Sequence, residues 1–117
     1  MTPRPFCAAV LSFATGCLAT NSVHVGPPQP AKPEGCPIAL EQVRPEEAAQ
    51  TYEQVGAVCA TVSEDSIYRH GSIRRRIEDQ ACGLGGEMIT IVGTCSVREF
   101  SGVEFGVFRR RARAAIP

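Results

Sequence analysis

Four cysteines punctuate the last two-thirds of this 117-residue chain: Cys36, Cys59, Cys82 and Cys95, separated by 23, 23 and 13 positions. Those gaps contain no Cys-x-x-Cys pair, so they do not match a zinc knuckle. Nor do they match a redox-active pair, which sits on a short loop at a helix start. An even set in a small domain reads instead as two disulfides, each worth about 2–4 kcal/mol. Such staples matter because a domain of this size buries only a modest core, and this chain has no Trp, two Tyr and five Phe. Four cysteines allow three pairings. The favoured map joins Cys36, which opens the first predicted strand, to Cys82 at the end of the predicted helix. It joins Cys59 to Cys95 on the two strands flanking that helix, neighbours if those strands pair. The other two maps stay open. No metal site and no cofactor is expected.

The N-terminus has the layout of an export signal: a short start with one charge, Arg4, an apolar run from Phe6, then small residues. The run is too short to cross a bilayer, which takes roughly 20 residues. Its end, Ala14-Thr15-Gly16-Cys17, resembles the lipobox of bacterial lipoproteins. That resemblance implies cleavage before Cys17, acylation of its thiol, and a lipid partner in the membrane. Two or more acyl chains anchor stably, each buried methylene adding about 0.8 kcal/mol. Leu18 follows, and in enteric lipoproteins a residue other than Asp there goes with the outer membrane. Cleavage leaves one net negative charge, with no bulk excess of basic residues to suit nucleic acid.

Residues 17–35 read as a lipidated cysteine and a tether, with Pro27, Pro28, Pro30 and Pro33 and no hydrophobic period. A small domain is expected over residues 36–112. Ile38–Val43 reads as a short strand closed by Pro45, and 46–50 as a polar connection compatible with a helix. Tyr52–Val62 is a stronger strand with small or apolar residues on both faces, hence interior to a sheet. Its alternation puts Val55, Ala57 and Cys59 on one face and Gly56, Val58 and Ala60 on the other. Ser63–Ser66 reads as a turn. Ser72 can cap a helix, whose buried stripe is Ile73, Ile77, Ala81 and Leu84 and whose end is Gly85-Gly86. Met88–Gly93 and Val103–Arg109 are strands, with Ser101-Gly102 as the turn ahead of the second. The expected fold is α+β: a small, mainly antiparallel sheet of about four strands with one helix on one face, in two disulfide-stapled layers.

The tracts Gly56–Thr61, Ile73–Ile77 and Gly85–Cys95 resemble the RcsF-type envelope lipoproteins and related small lipoprotein families. The likeness spans residues 36–110. It implies an outer-membrane protein that reports envelope damage and carries two disulfides. Cys59 and Cys95 match two of that family's cysteines. The family's other two lie beyond the second match and are absent here, where Cys36 and Cys82 stand instead.

The remaining polar features point to contact rather than catalysis. His24 and His70 are isolated in sequence, without the nucleophile and orienting carboxylate a catalytic histidine needs. Gly83–Gly86 follows a helix, whereas phosphate loops precede one. Arg74-Arg75-Arg76 reads as a solvated face balanced by Glu78 and Asp79. Arg109, Arg110, Arg111 and Arg113 form a basic patch suited to headgroups, cell-wall polymer or an acidic envelope protein. The expectation is a non-catalytic lipoprotein of the cell envelope, in the periplasm or at the cell surface. The alternative is a small hydrolase acting on cell-wall material, which would require Glu64, Asp65 and His70 in one pocket. A ligand-binding module would require an apolar cavity between helix and sheet.

Overall fold

The computed structural model describes residues 19–111. Five strands form one mixed sheet: β1 (Thr20–His24), β2 (Ala39–Leu40), β3 (Tyr52–Ala60), β4 (Met88–Val97) and β5 (Phe100–Arg110). Their spatial order is β1-β3-β5-β4-β2. All pairs are antiparallel except β2 with β4. Among the described residues, three helices accompany the sheet: α1 (Pro45–Thr51), α2 (Glu64–Arg69) and α3 (Gly71–Gly83).

The last strand in sequence is the central one. Val103, Phe105 and Val107 of β5 lie opposite Ala60, Val58 and Gly56 of β3. Phe105 and Val107 also lie opposite Ile91 and Ile89 of β4. Successive strand residues alternate faces, so these side chains share one side. There they meet Ile67 of α2 and Ile77 and Ala81 of α3, all buried. The predicted helical stripe is thus the covering layer of the sheet.

Several expectations require correction. One helix was expected on one face, yet α1 covers the opposite face, where Ala48 packs on Met88 and Phe108. The 63–66 segment is the start of a helix, because the Ser63 hydroxyl accepts the Ser66 N–H and caps α2. α3 then begins at Gly71, ahead of Ser72, and His70 serves as the junction. Its N–H bonds back to Ser66 and its carbonyl accepts from Ile73 and Arg74. The first strand is shorter than 38–43, and it runs parallel to β4 only at Met88 and Ile89. A register shift between Gln54 and Gly56 moves Val55 into the helix-side core with Val58 and Ala60, against the simple alternation expected.

The reading of a free tether also changes. Thr20–His24 pairs along β3 from Ala60 to Gly56, adding an edge strand ahead of the prolines. The chain after it is tied down. The Lys32 N–H donates to the Cys82 carbonyl at 2.8 Å, and the Gly35 N–H donates to Asp79 Oδ1 at 2.9 Å. Strand β1 is polar because one of its edges faces water and its cross-strand partner supplies the burial.

The β4–β5 hairpin turns at Arg98-Glu99, with Val97 opposite Phe100, so Ser101-Gly102 lies within β5 and not in the turn. Arg98 has φ 56°, the only non-glycine residue at positive φ among the described residues. That is the pattern of a type II′ turn, whose first loop position favours glycine. Arg98→Gly is therefore expected to stabilise the protein by about 0.5 kcal/mol, with relief of the left-handed conformation partly offset by glycine's chain entropy. Thermal unfolding should show a midpoint about 2–4 °C higher.

Candidate functional site

The two disulfides are Cys36–Cys82 and Cys59–Cys95, each with Cα atoms 6.0 Å apart. The first fastens the strap before β2 to the last turn of α3, where Cys82 is fully buried. The second differs from the expected geometry. Its two strands do not pair, because β5 runs between them, with Glu104 opposite Cys59 and Gly102 opposite Cys95. In a flat sheet, strands two places apart lie about 9–10 Å from each other. A 6.0 Å separation therefore means that β3 and β4 bend toward each other across β5 at this end. Gly102 permits the bend: a Cβ there would lie 2.2 Å from the Ala60 carbonyl oxygen.

Arg109, Arg110 and Arg111 each make contacts within the domain. Arg109 Nε donates to Glu53 Oε2 at 2.7 Å in a half-buried ion pair. The Arg110 guanidinium lies 5.8 Å from the centre of the Tyr52 ring, and its backbone N–H donates to Glu87 Oε1. Arg111 grips the Ala49 carbonyl oxygen at the C-terminal half of α1 through Nε at 3.1 Å and Nη2 at 2.9 Å. A cation there complements the helix dipole. Arg109 and Arg110 lie on opposite sides of β5, and Arg111 follows the end of the strand. Arg113 and Cys17 lie outside the described residues. On α3, Arg74 pairs with Glu78 at 3.0 Å, and Asp79 is the acceptor for the Gly35 strap.

The clustered acids Glu46-Glu47 and Glu64-Asp65 stand in the first turns of helices. Glu46 and Glu47 occupy the first turn of α1, where carboxylates favour the helix dipole. Asp65 pairs with Arg69 one turn along α2 at 3.0 Å. Glu64 alone of the Glu64, Asp65 and His70 set lines an open groove of about 390 Å³, with Glu41, Gln42, Arg44, Tyr68 and Thr90. Gln42 Nε2 donates to the Tyr68 hydroxyl across one part of this groove at 2.7 Å. The Thr90 hydroxyl donates to the Val43 carbonyl at 3.1 Å and so is already engaged. His24 and His70 are both exposed. The interval between helices and sheet, where an apolar cavity would have supported a ligand-binding module, is filled by Ile67, Ile77, Leu84, Ile89, Phe105 and Val107. Among the described residues, no three His, Cys, Asp or Glu side chains gather as metal ligands would. No helix among them is long and apolar enough to cross a membrane.

What the sequence reading passed over is the hairpin tip. Phe100 is 66% exposed, the most open of the large apolar side chains among the described residues. Strands β4 and β5 run on past the end of the core, their residues from Gly93 to Gly102 mostly exposed or half-buried. The signal was an aromatic residue directly after a charged pair, without the Asn-Gly or Asp-Gly that marks most tight hairpins. Comparison with protein-family models, with curated proteins and with solved structures finds no match to this chain.

Proposed function

We propose that this chain is a lipoprotein of the bacterial envelope, acylated at Cys17, whose small α+β domain acts by contact as a structural, binding or stress-sensing module. The reading rests first on the leader ending in Ala14-Thr15-Gly16-Cys17. The observation that carries it further is the pair of disulfides in the domain that follows, since stable disulfides belong to exported proteins of small size. Only Glu64 of the set Glu64, Asp65 and His70 lines the groove, and Asp65 is paired with Arg69, which favours contact over hydrolysis of cell-wall material. The outer membrane is the proposed location, on the strength of Leu18, and the partners are membrane lipid and an envelope protein or cell-wall polymer. The resemblance to RcsF-type proteins fits a sensing role.

The test is intact mass and membrane fractionation of the native protein beside Cys17→Ser. The expected native protein is membrane-bound and heavier than the cleaved chain by its acyl groups. The variant is expected to be soluble or unprocessed. Two soluble forms of equal processing, cut elsewhere, would overturn the reading and make this a secreted factor.

A further inference from the structure

We infer that the tip of the β4–β5 hairpin, Val97–Phe100, is a second membrane contact, which inserts Phe100 into the bilayer interface beside the anchor. This rests on the lipidation of Cys17 proposed above, and it concerns how the domain sits once anchored.

The strand register places anchor and tip at one end of the sheet. Thr20 lies opposite Ala60, and Ala19 exchanges backbone and side-chain hydrogen bonds with Thr61. Ala60 lies opposite Val103 on β5, so the chain enters the domain level with Gly102. Phe100 is two residues further out along β5, about 7 Å at the usual strand rise. Cys17 is two residues before Ala19 and can lie no more than about 7 Å from it. An acylated Cys17 therefore has no spacer. The proline-rich segment that reads as a spacer comes after β1, at the far end of that strand, where the Val25 N–H bonds to Val55.

A bilayer holding Cys17 is thus held against this end of the sheet, and the feature projecting there is the hairpin tip. Its apolar groups are Phe100, 66% exposed, and the half-buried Val97 opposite it. Its two loop residues, Arg98 and Glu99, cancel in charge. Attraction to anionic lipid therefore does not drive the contact. An aromatic ring at the headgroup boundary does, as in peripheral proteins that bury an apolar face about 5–10 Å deep. The bent sheet, braced by Cys59–Cys95, makes the hairpin a stiff projection.

The chain contains no Trp, so a single substitution gives an unambiguous reporter. Phe100→Trp and, as a control at the opposite end of β1, His24→Trp are purified as the native full chain and reconstituted in phosphatidylcholine vesicles. The vesicles carry bromine on the upper acyl carbons. Both replaced side chains are exposed, and an unchanged melting temperature verifies the fold. The expected result for Phe100→Trp is a blue-shifted indole emission that loses most of its intensity to bromine. The emission of His24→Trp is expected to be unaffected. Intact mass on the same samples separates the two ideas. Acylated protein with an unquenched reporter at the tip overturns the tip contact and leaves the anchor standing. Acylated protein with both reporters quenched alike overturns the end-on orientation. Protein without acyl groups overturns the anchor, and the tip contact falls with it.

Discussion

Replacing Cys36 and Cys82 together by Ala is expected to lower the unfolding free energy by about 4 kcal/mol, the chain-entropy value for a cross-link of this span. The two residues are 46 apart in sequence. Alanine is the appropriate replacement because Cys82 is fully buried, and a serine hydroxyl there would add a desolvation cost of its own. A domain of this size has about 5–15 kcal/mol in total, so the double variant keeps a fold that is close to marginal. The loss extends beyond chain entropy. Cys36 ends the strap that donates to Cys82 and Asp79, and that strap joins β1 to the rest of the sheet. In urea the midpoint should fall by about 2 M, taking a slope near 2 kcal/mol/M for a small protein. A midpoint within the error of the native protein would show that the strap is held without the bridge and that the bridge is incidental. The effect of removing Cys59–Cys95 as well should be less than additive, since the two loops overlap in sequence and constrain the same unfolded chain.

Gly102→Ala is the smallest change that should damage the fold severely. The added methyl would start 2.2 Å from the Ala60 oxygen and 2.8 Å from the Thr61 Cα. Both are backbone atoms, so no side-chain rotation relieves the clash. Overpacking typically costs about 1–3 kcal/mol, and a contact with fixed backbone belongs at the top of that range. Relief requires β3 to draw away from β5, which also separates Cys59 from Cys95. The variant should therefore melt at least about 10 °C lower, by the usual scaling of midpoint with stability, and it should expose titratable thiols during expression. Gly93→Ala is the control, because a Cβ there meets no atom within 4 Å. Equal melting temperatures for the two variants would refute the account of Gly102 as the residue that permits the bend.

How much of this was legible in the sequence depends on what each element buries. The helix was readable because Ile73, Ile77, Ala81 and Leu84 repeat at the helical period and pack together. Strand β3 was readable because its residues from Val55 to Ala60 are buried whichever face they take, which demands a run of small and apolar residues. β1 was not, since an edge strand with exposed residues needs no hydrophobic alternation and gains its stability from pairing. α2 was hidden by its length. Six residues leave little room for a period, and a Ser-Glu-Asp-Ser start serves a turn as well as a cap. The contacts of the arginine cluster were not legible for a different reason: charge in a sequence carries no sign of its partner. Glu53, the Tyr52 ring and the Ala49 carbonyl come from a distant helix–strand pair that only the sheet topology brings to Arg109, Arg110 and Arg111. That residue 19 and the hairpin tip share one end of the sheet became readable only from register, since nothing in the chain says that Thr20 lies opposite Ala60.

On the export proposed above, the placement of β5 at the centre of the sheet would set the order of events as the chain crosses. A chain threading through a translocation pore presents β3 and β4 before the strand that joins them, so neither can be completed until β5 has crossed. The cysteines emerge earlier, in the order Cys36, Cys59, Cys82, Cys95. Oxidation in order of appearance would join Cys36 to Cys59 and Cys82 to Cys95, and both bonds are absent from the fold, whose two bridges interlock. Under that proposal, maturation would call for a disulfide isomerase, or for thiols kept reduced until translocation ends.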